Sequence, residues 1–330
     1  MGGDQCAGFT VDTRDCSVTA AMNEADRIAL KARLRAAVLP HNWRTRFAPA
    51  PTGHLHLGHA VNAVYVWSLA RAFGGTVIVR IEDHDRQRSR AVFEASIRDD
   101  LAWLGLMPDN TALGLPSMLR QSDDIDISCG NALQTLSTAG LVYACRCSRR
   151  EIASGQESFS ELRYRGICRN AAVADAATPA RRVMLADTSV AFDDLRHGAQ
   201  VQLPALQCGD LLLRERRGYW TYQCAVVVDD LRQGVDMIVR GDDLLASTGR
   251  QFLLRALLGG GRQPLTLHHP LVTREDGAKL SKSAGDTGLA DLRRAGWTPE
   301  RVLGHAAWLG GLQHDARPLA AVHLGRLWEQ

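Results

Sequence analysis

The sequence contains no run of apolar residues that approaches the ~18 a membrane-spanning helix needs. Its beginning, Met1–Cys16, contains acids and lacks the apolar core of a secretory signal. We therefore expect a cytoplasmic protein without membrane contact. Its eight cysteines should be reduced thiols or metal ligands rather than disulfides.

A large excess of one charge is also missing. The chain has 39 lysines and arginines against 36 acids, a net charge of +3. This mildly basic balance permits a nucleic-acid partner but does not by itself indicate one. We find no internal repeat or low-complexity tract. The 330 residues, 45% of them hydrophobic, suffice for one large domain with an insertion or for two modest domains.

Alternating strands and helices begin near residue 44. Thr45–Ala48 predicts a short buried strand, residues 58–73 a helix ended by glycine, and Thr76–Ile81 a second, fully apolar strand. Strand, helix and strand in this order form a βαβ unit with a right-handed crossover. Residues 91–105 predict another helix, so the chain reads as an α/β protein.

The pattern is interrupted over residues 126–215, which are rich in cysteine, arginine and turn residues and which we interpret as an insertion. It resumes with Ala225–Val228 and Met237–Arg240, both interpreted as strands, and with a helix over residues 247–258. The tail after residue 291 is predicted to be helical. Its expected packing residues are Trp297, Leu303, Trp308 and Leu309.

The first forty residues stand apart from this pattern. Residues 1–21 show no periodicity and predict a disordered lead. Asn23 is a candidate cap for a helix that includes Ile28, Leu30, Leu34 and Val38 and ends before Pro40. The segment is either a true extension or the result of a start assigned upstream of Met22.

The segment Pro49–His59 (PAPTGHLHLGH) lies between a predicted strand and a predicted helix. A helix N-terminus attracts phosphate through its unpaired N–H groups and its partial positive charge. His56 and His59 can donate hydrogen bonds to a phosphate that gains charge during transfer, and Gly58 leaves room for a purine or ribose. Two surface histidines beside a tight turn are the alternative.

A glycine-flanked segment, Lys279–Ser283, carries two lysines three positions apart. Lys279 and Lys282 could close over a triphosphate and stabilise the departing pyrophosphate, whereas a solvated basic loop is the alternative. The two motifs, in this order and about 220 residues apart, resemble the HIGH and KMSKS signatures of class I aminoacyl-tRNA synthetases.

This resemblance implies a Rossmann-like catalytic domain that uses ATP with Mg²⁺. It implies catalytic roles for His56, His59 and Lys282. The residues it implies at the nucleotide are Pro49, Thr52, Gly53, His56, Gly58, His59, Lys279 and Lys282.

Four segments resemble the glutamyl branch of that family: Arg46–Gly53, Arg80–Asp85, Tyr219–Gln223 and Val239–Asp243. A glutamate site needs a cation for the side-chain carboxylate and an acid for the ammonium group. Arg46 suits the first and Glu82 the second. The family pattern adds Tyr222 and Arg240 as glutamate-binding residues, and it places Asp242 near the nucleotide. Ala50 stands where the family often has serine, so only backbone contacts remain there.

The chain has only about forty residues after the lysine loop, too few for an anticodon-reading domain. This truncation, together with the cysteine-containing insertion, resembles the glutamyl-Q tRNA(Asp) synthetases over roughly residues 44 to 310. Members of that family activate L-glutamate without tRNA and attach it to queuosine in the anticodon loop of tRNA(Asp). The alternatives are a short glutamyl-tRNA synthetase that charges the 3′ end, a non-catalytic RNA-binding paralogue and a small-molecule adenylyltransferase. We expect a monomer.

The insertion contains Cys145, Cys147 and, after a gap, Cys168. Three thiolates suit a structural Zn²⁺ site, but no histidine lies nearby as a fourth ligand. The resemblance supplies Tyr164; three reduced cysteines beside a packed tyrosine are the alternative. The insertion also has six arginines that form a local basic patch. This patch could contact an RNA backbone or could be a solvated face. The six are Arg146, Arg149, Arg150, Arg163, Arg165 and Arg169.

These observations divide the chain into five parts. They are a partly disordered extension (1–43), the first half of the catalytic domain (44–125), the zinc-binding insertion (126–215), the second half with the lysine loop (216–290), and a short helical tail (291–330).

Overall fold

The computed structural model describes residues 16–18, 22–154, 161–274 and 288–329. Within these ranges the α-helices are α1 (Glu24–Ala36), α2 (Leu57–Phe73), α3 (Ala91–Leu104), α4 (Ile125–Thr138), α5 (Arg149–Ala153), α6 (Pro204–Gln207), α7 (Tyr222–Arg232), α8 (Thr248–Leu257), α9 (Leu289–Arg294) and α10 (Pro299–Leu309). The strands are β1 (Cys16–Val18), β2 (Arg44–Phe47), β3 (Thr76–Ile81), β4 (Leu119–Arg120), β5 (Val142–Ala144), β6 (Arg181–Val183), β7 (Val190–Asp194), β8 (Gly198–Gln202), β9 (Leu211–Arg214), β10 (Met237–Gly241), β11 (Leu265–His269) and β12 (Val272–Arg274).

Two sheets meet edge to edge in the centre of the molecule. One has the order β2-β3-β4 and is parallel, and the other has the order β10-β11-β7-β8, with β10, β11 and β7 parallel. The Asp236 N–H donates to the Arg44 carbonyl at 2.9 Å, which places β10 alongside β2. The carboxyl ends of the central strands therefore share one edge, where open α/β sheets bind their ligands.

The unit β2-α2-β3 confirms the predicted strand, helix and strand. The inner face of α2 is fully buried at Val61, Val64, Tyr65 and Leu69. The helix ends at Gly74, whose φ of 68° lies in the left-handed region that glycine adopts without strain. The strand β3 is buried along nearly its whole length, as its continuous apolar sequence predicts.

One strand prediction was wrong. Ala225–Val228 lies within the helix α7 rather than in a strand. Thr221 caps this helix by accepting from the Cys224 N–H at 3.4 Å. The periodicity of a short apolar run does not distinguish a buried strand from a buried helix. The helix cap at Thr221 was the sequence signal that favoured a helix here.

The region predicted as an insertion contains two kinds of structure. Strands β5, β6 and β9 form their own antiparallel sheet. The hairpin β7-β8, however, returns to the central sheet, where Asp194 at the end of β7 lies opposite Thr266 of β11. The chain thus leaves the central sheet, re-enters it through β7 and β8, and leaves it again before α7.

Near the N-terminus, α1 is confirmed, with Asn23 accepting from the Asp26 N–H at 2.8 Å. The helix ends at Ala36, so Val38 lies outside it and is 74% exposed, because the chain becomes extended before Pro40. Cys16–Val18, within the predicted lead, forms the strand β1 and pairs with β12.

The tail after residue 291 is helical, as predicted, and a 3₁₀ helix over Ala321–Trp328 follows α10. Trp297, Leu303 and Leu309 are buried, but Trp308 is 37% exposed, so its predicted packing role was wrong. The buried face of α10 includes Leu309, and the neighbouring position points away from it.

Two helical glycines offer a matched test of this packing. A Cβ at Gly304 in α10 would lie 1.9 Å from the Arg317 carbonyl oxygen, whereas a Cβ at Gly130 in α4 would meet nothing within 4 Å. We expect Gly304→Ala to destabilise the protein by about 1–3 kcal/mol, because backbone must move. Gly130→Ala should raise stability by up to ~1 kcal/mol through helix propensity. Urea unfolding measures both changes, and equal effects would contradict the packing.

Candidate active site

The segment Pro49–Gly53 connects β2 to the helix α2 and is fixed against the end of β3. The Glu82 N–H donates to the Pro49 carbonyl at 3.0 Å, and the Arg90 N–H donates to the Pro51 carbonyl at 3.0 Å. The Thr52 N–H donates to the Ala50 carbonyl at 2.8 Å, which closes a tight turn. The turn therefore lies beside the carboxyl ends of two neighbouring strands.

His56 and His59 form the cap of α2, and their ring centroids are 4.0 Å apart. The Gly58 N–H donates to Nδ1 of His56 at 3.1 Å, and the His56 N–H donates to Nδ1 of His59 at 3.2 Å. Since Nδ1 accepts in both rings, each neutral imidazole carries its proton on Nε2. The cap thus fixes Nε2 as the donor atom of each histidine at a helix N-terminus.

Gly58 has a local reason in the structure that differs from the predicted one. A Cβ at this position would lie 3.0 Å from Cε1 and 3.1 Å from Nδ1 of His56. The absent side chain thus makes room for the capping ring of His56. Contact with a purine or ribose stays a prediction.

Lys279 and Lys282 lie outside the described residues. The described chain resumes at Gly288, which forms an antiparallel bridge with His56. The Leu289 N–H donates to the Leu55 carbonyl at 2.8 Å. The chain that follows the lysine motif is therefore attached directly beside the histidine pair.

Arg46, at the carboxyl half of β2, is buried and already paired. Its Nε donates to both Asp230 oxygens, at 3.1 and 3.2 Å, and its Nη1 donates to the Val239 carbonyl at 3.3 Å. Arg80 of β3 extends this network: its Nη1 lies 2.9 Å from Asp230, and its Nη2 donates to Glu82 at 2.9 Å. Two predicted substrate residues, Arg46 and Glu82, are thus joined through Asp230 and Arg80.

The Asp230 carboxylate at the centre of this network remains charged. Burial alone would raise the pKa of Asp230, but the guanidinium groups of Arg46 and Arg80 hold that pKa below its ordinary value. Burial alone would likewise lower the pKa of Arg80, and the carboxylates of Asp230, Glu82 and Asp229 raise it. The network therefore balances its charges internally.

Arg240, near the end of β10, is held differently. It is 5% exposed, and its described partners are neutral: Thr248 at 2.8 Å, Gln251 at 2.6 Å and His268 at 3.0 Å. No carboxylate of the described residues lies within 4.0 Å of its guanidinium nitrogens. Burial lowers the pKa of Arg240 below its ordinary value. The pocket therefore contains a buried cation without a carboxylate partner among described residues.

The predicted glutamate residues converge around Tyr222. Burial raises the pKa of the Tyr222 phenol, the charge of Glu82 raises it further, and Arg240 and Arg46 lower it. The Tyr222 phenol in turn raises the pKa of Arg240, so the two groups lie close to each other. The structure thus brings Arg46, Glu82, Tyr222 and Arg240 together, although they come from β2, the end of β3, α7 and β10.

Asp242 follows β10 and is engaged by two side chains of the β7-β8 turn. Its carboxylate accepts from Arg196 at 2.5 Å and lies 2.7 Å from Nε2 of His197. Asp242 therefore orders the edge of the pocket; its predicted position near the nucleotide stays a prediction.

Several residues around this site carry no signal that assigned them a role from the sequence: Arg80, Asp194, Asp230, Thr248, Gln251 and His268. Asp230 stands next to the apolar run misassigned as a strand, so its helical position was hidden. His268 is the penultimate residue of β11, and polar residues near the carboxyl end of a central strand are the signal that could have drawn attention to it.

The cysteines of the insertion form one cluster. The sulfur atoms of Cys145, Cys147 and Cys168 lie within 4.8 Å of one another, and Cys147 and Cys168 are 3.5 Å apart. A tetrahedral Zn²⁺ with ~2.3 Å bonds places its ligand atoms about 3.8 Å apart. The cluster can therefore hold a metal ion of this size.

Tyr164 points its hydroxyl into this cluster. Its oxygen lies 3.5 Å from Cys145 Sγ and 3.9 Å from Cys147 Sγ, and it accepts from the Cys168 N–H at 2.8 Å. The Arg182 guanidinium stacks 3.8 Å from the centre of the Tyr164 ring and donates to Cys145 Sγ at 3.3 Å. An arginine against the cluster suits a site with negatively charged sulfur.

The six arginines predicted as an RNA-contacting patch are all exposed. Arg169 is paired with Asp210, and Arg163 donates to the Ala205 carbonyl at 3.2 Å. Asp210 also accepts from the Tyr143 hydroxyl at 2.6 Å, so Arg169 is anchored to the insertion's sheet.

The similarity of this chain to known proteins identifies its family. Residues 42–321 match the family model described as class I tRNA synthetases (E and Q), catalytic domain. A glutamyl-Q tRNA(Asp) synthetase of Symbiobacterium thermophilum is 41% identical over 287 residues, which is 83% of this chain and 88% of that protein. The chain belongs to the glutamyl-Q tRNA(Asp) synthetase family of class I tRNA synthetases.

Longer relatives share the same core. A glutamate–tRNA ligase of Syntrophus aciditrophicus is 36% identical over 84% of this chain, and the chain spans 60% of its length. A solved glutamate tRNA ligase of Elizabethkingia meningosepticum superposes with a TM-score of 0.70 at 23% identity, over 86% of this chain and 64% of that one. The superposition confirms the predicted α/β fold.

Among the described residues, no helix combines the length and the apolar character that crossing a bilayer requires. Six cysteines whose side chains the structure describes form no disulfide: Cys129, Cys145, Cys147, Cys168, Cys208 and Cys224.

The balanced network predicts a large effect of removing its central cation. Arg80→Met should destabilise the protein by about 3–5 kcal/mol, because Glu82, Asp229 and Asp230 would be left buried without their shared partner. Arg71→Met is the control, since Arg71 makes a partly exposed ion pair with Asp109. Urea unfolding compares the two variants. A loss of less than about 1 kcal/mol for Arg80→Met would contradict the network's role.

Proposed function

We propose that this protein activates L-glutamate with ATP, forming glutamyl-adenylate without tRNA, and then transfers the glutamate to queuosine in the anticodon loop of tRNA(Asp). The observation that carries the amino-acid half is Arg240, a buried cation held by neutral partners next to Tyr222, Glu82 and Arg46. The RNA target rests on the relatives, whose name is glutamyl-Q tRNA(Asp) synthetase.

Glutamate brings two carboxylates and one ammonium group to this pocket. The Arg240 guanidinium can bind one carboxylate with planar, charge-assisted hydrogen bonds, and Tyr222 can support it from the same side. Arg46, whose charge is balanced by Asp230, can direct its guanidinium to the substrate from β2, and Glu82 offers a carboxylate for the ammonium group. Ala50 contributes no hydroxyl, so its backbone groups are the contacts left to it.

In the activation step, an oxygen of the glutamate α-carboxylate attacks the α-phosphorus of ATP. The new bond joins the acyl oxygen to the phosphorus, and the bond to the departing pyrophosphate breaks, so no protein nucleophile is needed. His56 and His59 hold Nε2 donors at the N-terminus of α2, where they can stabilise charge on the phosphates. Pro49, Thr52, Gly53 and Gly58 form the turn and helix start beside them.

Lys279 and Lys282 supply the remaining positive charge in this proposal. Gly288 is bonded beside His56, and Lys282 precedes Gly288 by six positions. Six residues of fully extended chain span at most about 21 Å. Chain connectivity therefore permits Lys282 to reach the phosphates, and Mg²⁺ would accompany ATP as its counter-ion.

The transfer step needs a surface for RNA. The exposed arginines of the insertion give a local positive patch on a chain of net charge +3, which suits contacts with RNA phosphates. We propose that Arg146, Arg149 and Arg150, next to the cysteine cluster, contribute to binding the tRNA. The chain is expected to act as a monomer in the cytoplasm.

We propose Zn²⁺ as the metal of the insertion, bound by Cys145, Cys147, Cys168 and Tyr164. The spacing of their ligand atoms and the Arg182 cation beside them support this assignment. A zinc ion with four protein ligands keeps no open position, so it would hold the insertion together rather than take part in the reaction.

A glutamate–tRNA ligase that charges the tRNA 3′ end is the competing function, because one such relative is 36% identical. Relatives named glutamyl-Q tRNA(Asp) synthetase are 41% and 42% identical, which favours the glutamyl-Q proposal. Pyrophosphate exchange with each amino acid, with and without tRNA, separates the two. Exchange with glutamate alone is expected, followed by labelled-glutamate transfer to tRNA(Asp) with queuosine but not to tRNA without it. Exchange that requires tRNA, or 3′-end charging, would overturn the proposal.

Removing the Arg240 guanidinium tests the glutamate pocket. Arg240→Gln should raise the KM for glutamate about tenfold to a hundredfold in pyrophosphate exchange, with little change in the KM for ATP, because a charge-assisted hydrogen bond is lost. Arg250→Gln is the matched control: Arg250 is 3% exposed and lies on α8, but it pairs with Glu161. Equal effects of the two substitutions on the KM for glutamate would rule out the assigned role.

Elemental analysis tests the metal proposal. The purified protein should contain one zinc per chain, and Cys168→Ser should lower this content sharply and reduce thermal stability. Cys129→Ala should keep the metal, since Cys129 lies in α4 and outside the cluster. A zinc content near zero in the unmodified protein, or one unaffected by Cys168→Ser, would refute the assignment.

A further inference from the structure

A buried chain of hydrogen bonds lies behind Arg240, and its other members take no part in the proposed reaction. The Arg240 Nε–H donates to Nε2 of His268 at 3.0 Å, and Nδ1 of His268 lies 2.7 Å from Oδ2 of Asp194. His268 is fully buried, and Asp194 is 1% exposed. A carboxylate, an imidazole and a guanidinium are thus linked in series, and the guanidinium ends in the glutamate pocket.

Asp194 is fixed more firmly than a surface acid would be. It ends β7, and its Oδ1 accepts from the N–H groups of Arg196 and His197, each at 3.0 Å. Its Oδ2 accepts from the His268 N–H at 3.2 Å as well as facing the ring. Both oxygens are therefore engaged by donors, Oδ1 by the β7-β8 turn and Oδ2 by β11, which holds the carboxylate in one orientation.

These contacts determine the tautomer of His268. Asp194 can only accept, so Nδ1 of His268 must carry a proton. Arg240 can only donate, so Nε2 of His268 must be without one. Burial lowers the pKa of His268 below its ordinary value, which keeps the ring neutral near pH 7. The ring is thus fixed as an acceptor toward Arg240.

A neutral acceptor at this place has a specific advantage. A carboxylate in direct contact would neutralise Arg240 and compete with a substrate carboxylate, as Asp230 does for Arg46. The His268 imidazole orients the Arg240 guanidinium without cancelling its charge. It also separates the guanidinium from the Asp194 carboxylate by the width of the ring. Thr248 and Gln251, also neutral, fix the guanidinium from α8.

We propose that Asp194 and His268 are positioning residues for glutamate binding, which act through Arg240 by fixing its guanidinium plane while leaving its charge for the substrate carboxylate. This inference deepens the proposed function and rests on the role of Arg240 in it. Neither residue touches the substrate in this proposal, so their effect belongs in the KM for glutamate.

Two substitutions of one residue separate positioning from folding. In His268→Gln, the amide oxygen can take the place of Nε2 and still accept from Arg240. In His268→Asn, the shorter amide can replace Nδ1 toward Asp194 but leaves Arg240 without its acceptor. We expect His268→Asn to raise the KM for glutamate about tenfold or more in pyrophosphate exchange, since a hydrogen bond to a charged group is lost. His268→Gln should stay within a few fold of the unsubstituted enzyme, and the KM for ATP should change little in both.

Asp194→Asn tests the tautomer. An amide nitrogen facing Nδ1 would move the histidine proton to Nε2, where it would oppose the Arg240 N–H, so the KM for glutamate should rise as in His268→Asn. His305→Gln is the control, because His305 is 8% exposed and lies in α10 between Trp297 and Trp308. It should cost stability without changing the KM for glutamate.

Nitrogen-15 NMR of histidine-labelled protein gives a readout that does not depend on turnover. The His268 ring should show a protonated Nδ1 and an unprotonated Nε2. The opposite tautomer, or the same KM for glutamate in His268→Asn, His268→Gln and the unsubstituted enzyme, would overturn the positioning role. Absence of glutamate-dependent exchange in the unsubstituted enzyme, with the expected tautomer present, would instead refute the proposed function.

Discussion

The arrangement of the pocket depends on one buried charge, the Arg240 guanidinium, for which the described protein provides no carboxylate within 4.0 Å. Leaving a charge in the interior with neutral partners costs free energy, and that cost is offset when a ligand carboxylate arrives. Thr248, Gln251 and His268 hold the guanidinium in place by hydrogen bonds alone. In our proposal, this guanidinium is the binding site for an anion inside an otherwise balanced core.

The two neighbouring arginines, in contrast, are paired with carboxylates of the protein. Arg46 and Arg80 share Asp230, and Arg80 also pairs with Glu82 and Asp229, so both arginines have carboxylate partners within the protein. At the other end of the crevice, His56 and His59 are set by their cap hydrogen bonds as donors at the start of α2. One side therefore suits a carboxylate and the other a phosphate, which are the two groups that amino-acid activation must bring together.

Much of this could be predicted from the sequence. The βαβ unit followed from a fully apolar strand and a glycine-ended helix. Local motifs named Arg46, Glu82, Tyr222 and Arg240, which the structure brings together, and their role in glutamate binding stays a prediction. Two features could not be predicted from the sequence. The helix α7 was read as a strand because a buried valine run has no informative period. The partners of Arg240 come from β11 and α8, and only the folded sheet places His268 next to Asp194 of a hairpin expected in the insertion.

A crystal structure with a non-hydrolysable glutamyl-adenylate analogue tests the central claim most directly. We predict a carboxylate oxygen of the glutamyl group within about 2.7–2.9 Å of an Arg240 guanidinium nitrogen, the usual distance of a charge-assisted hydrogen bond. Its phosphate should lie beside His56 and His59. A glutamyl group bound elsewhere, with Arg240 contacting only Thr248, Gln251 and His268, would contradict the account.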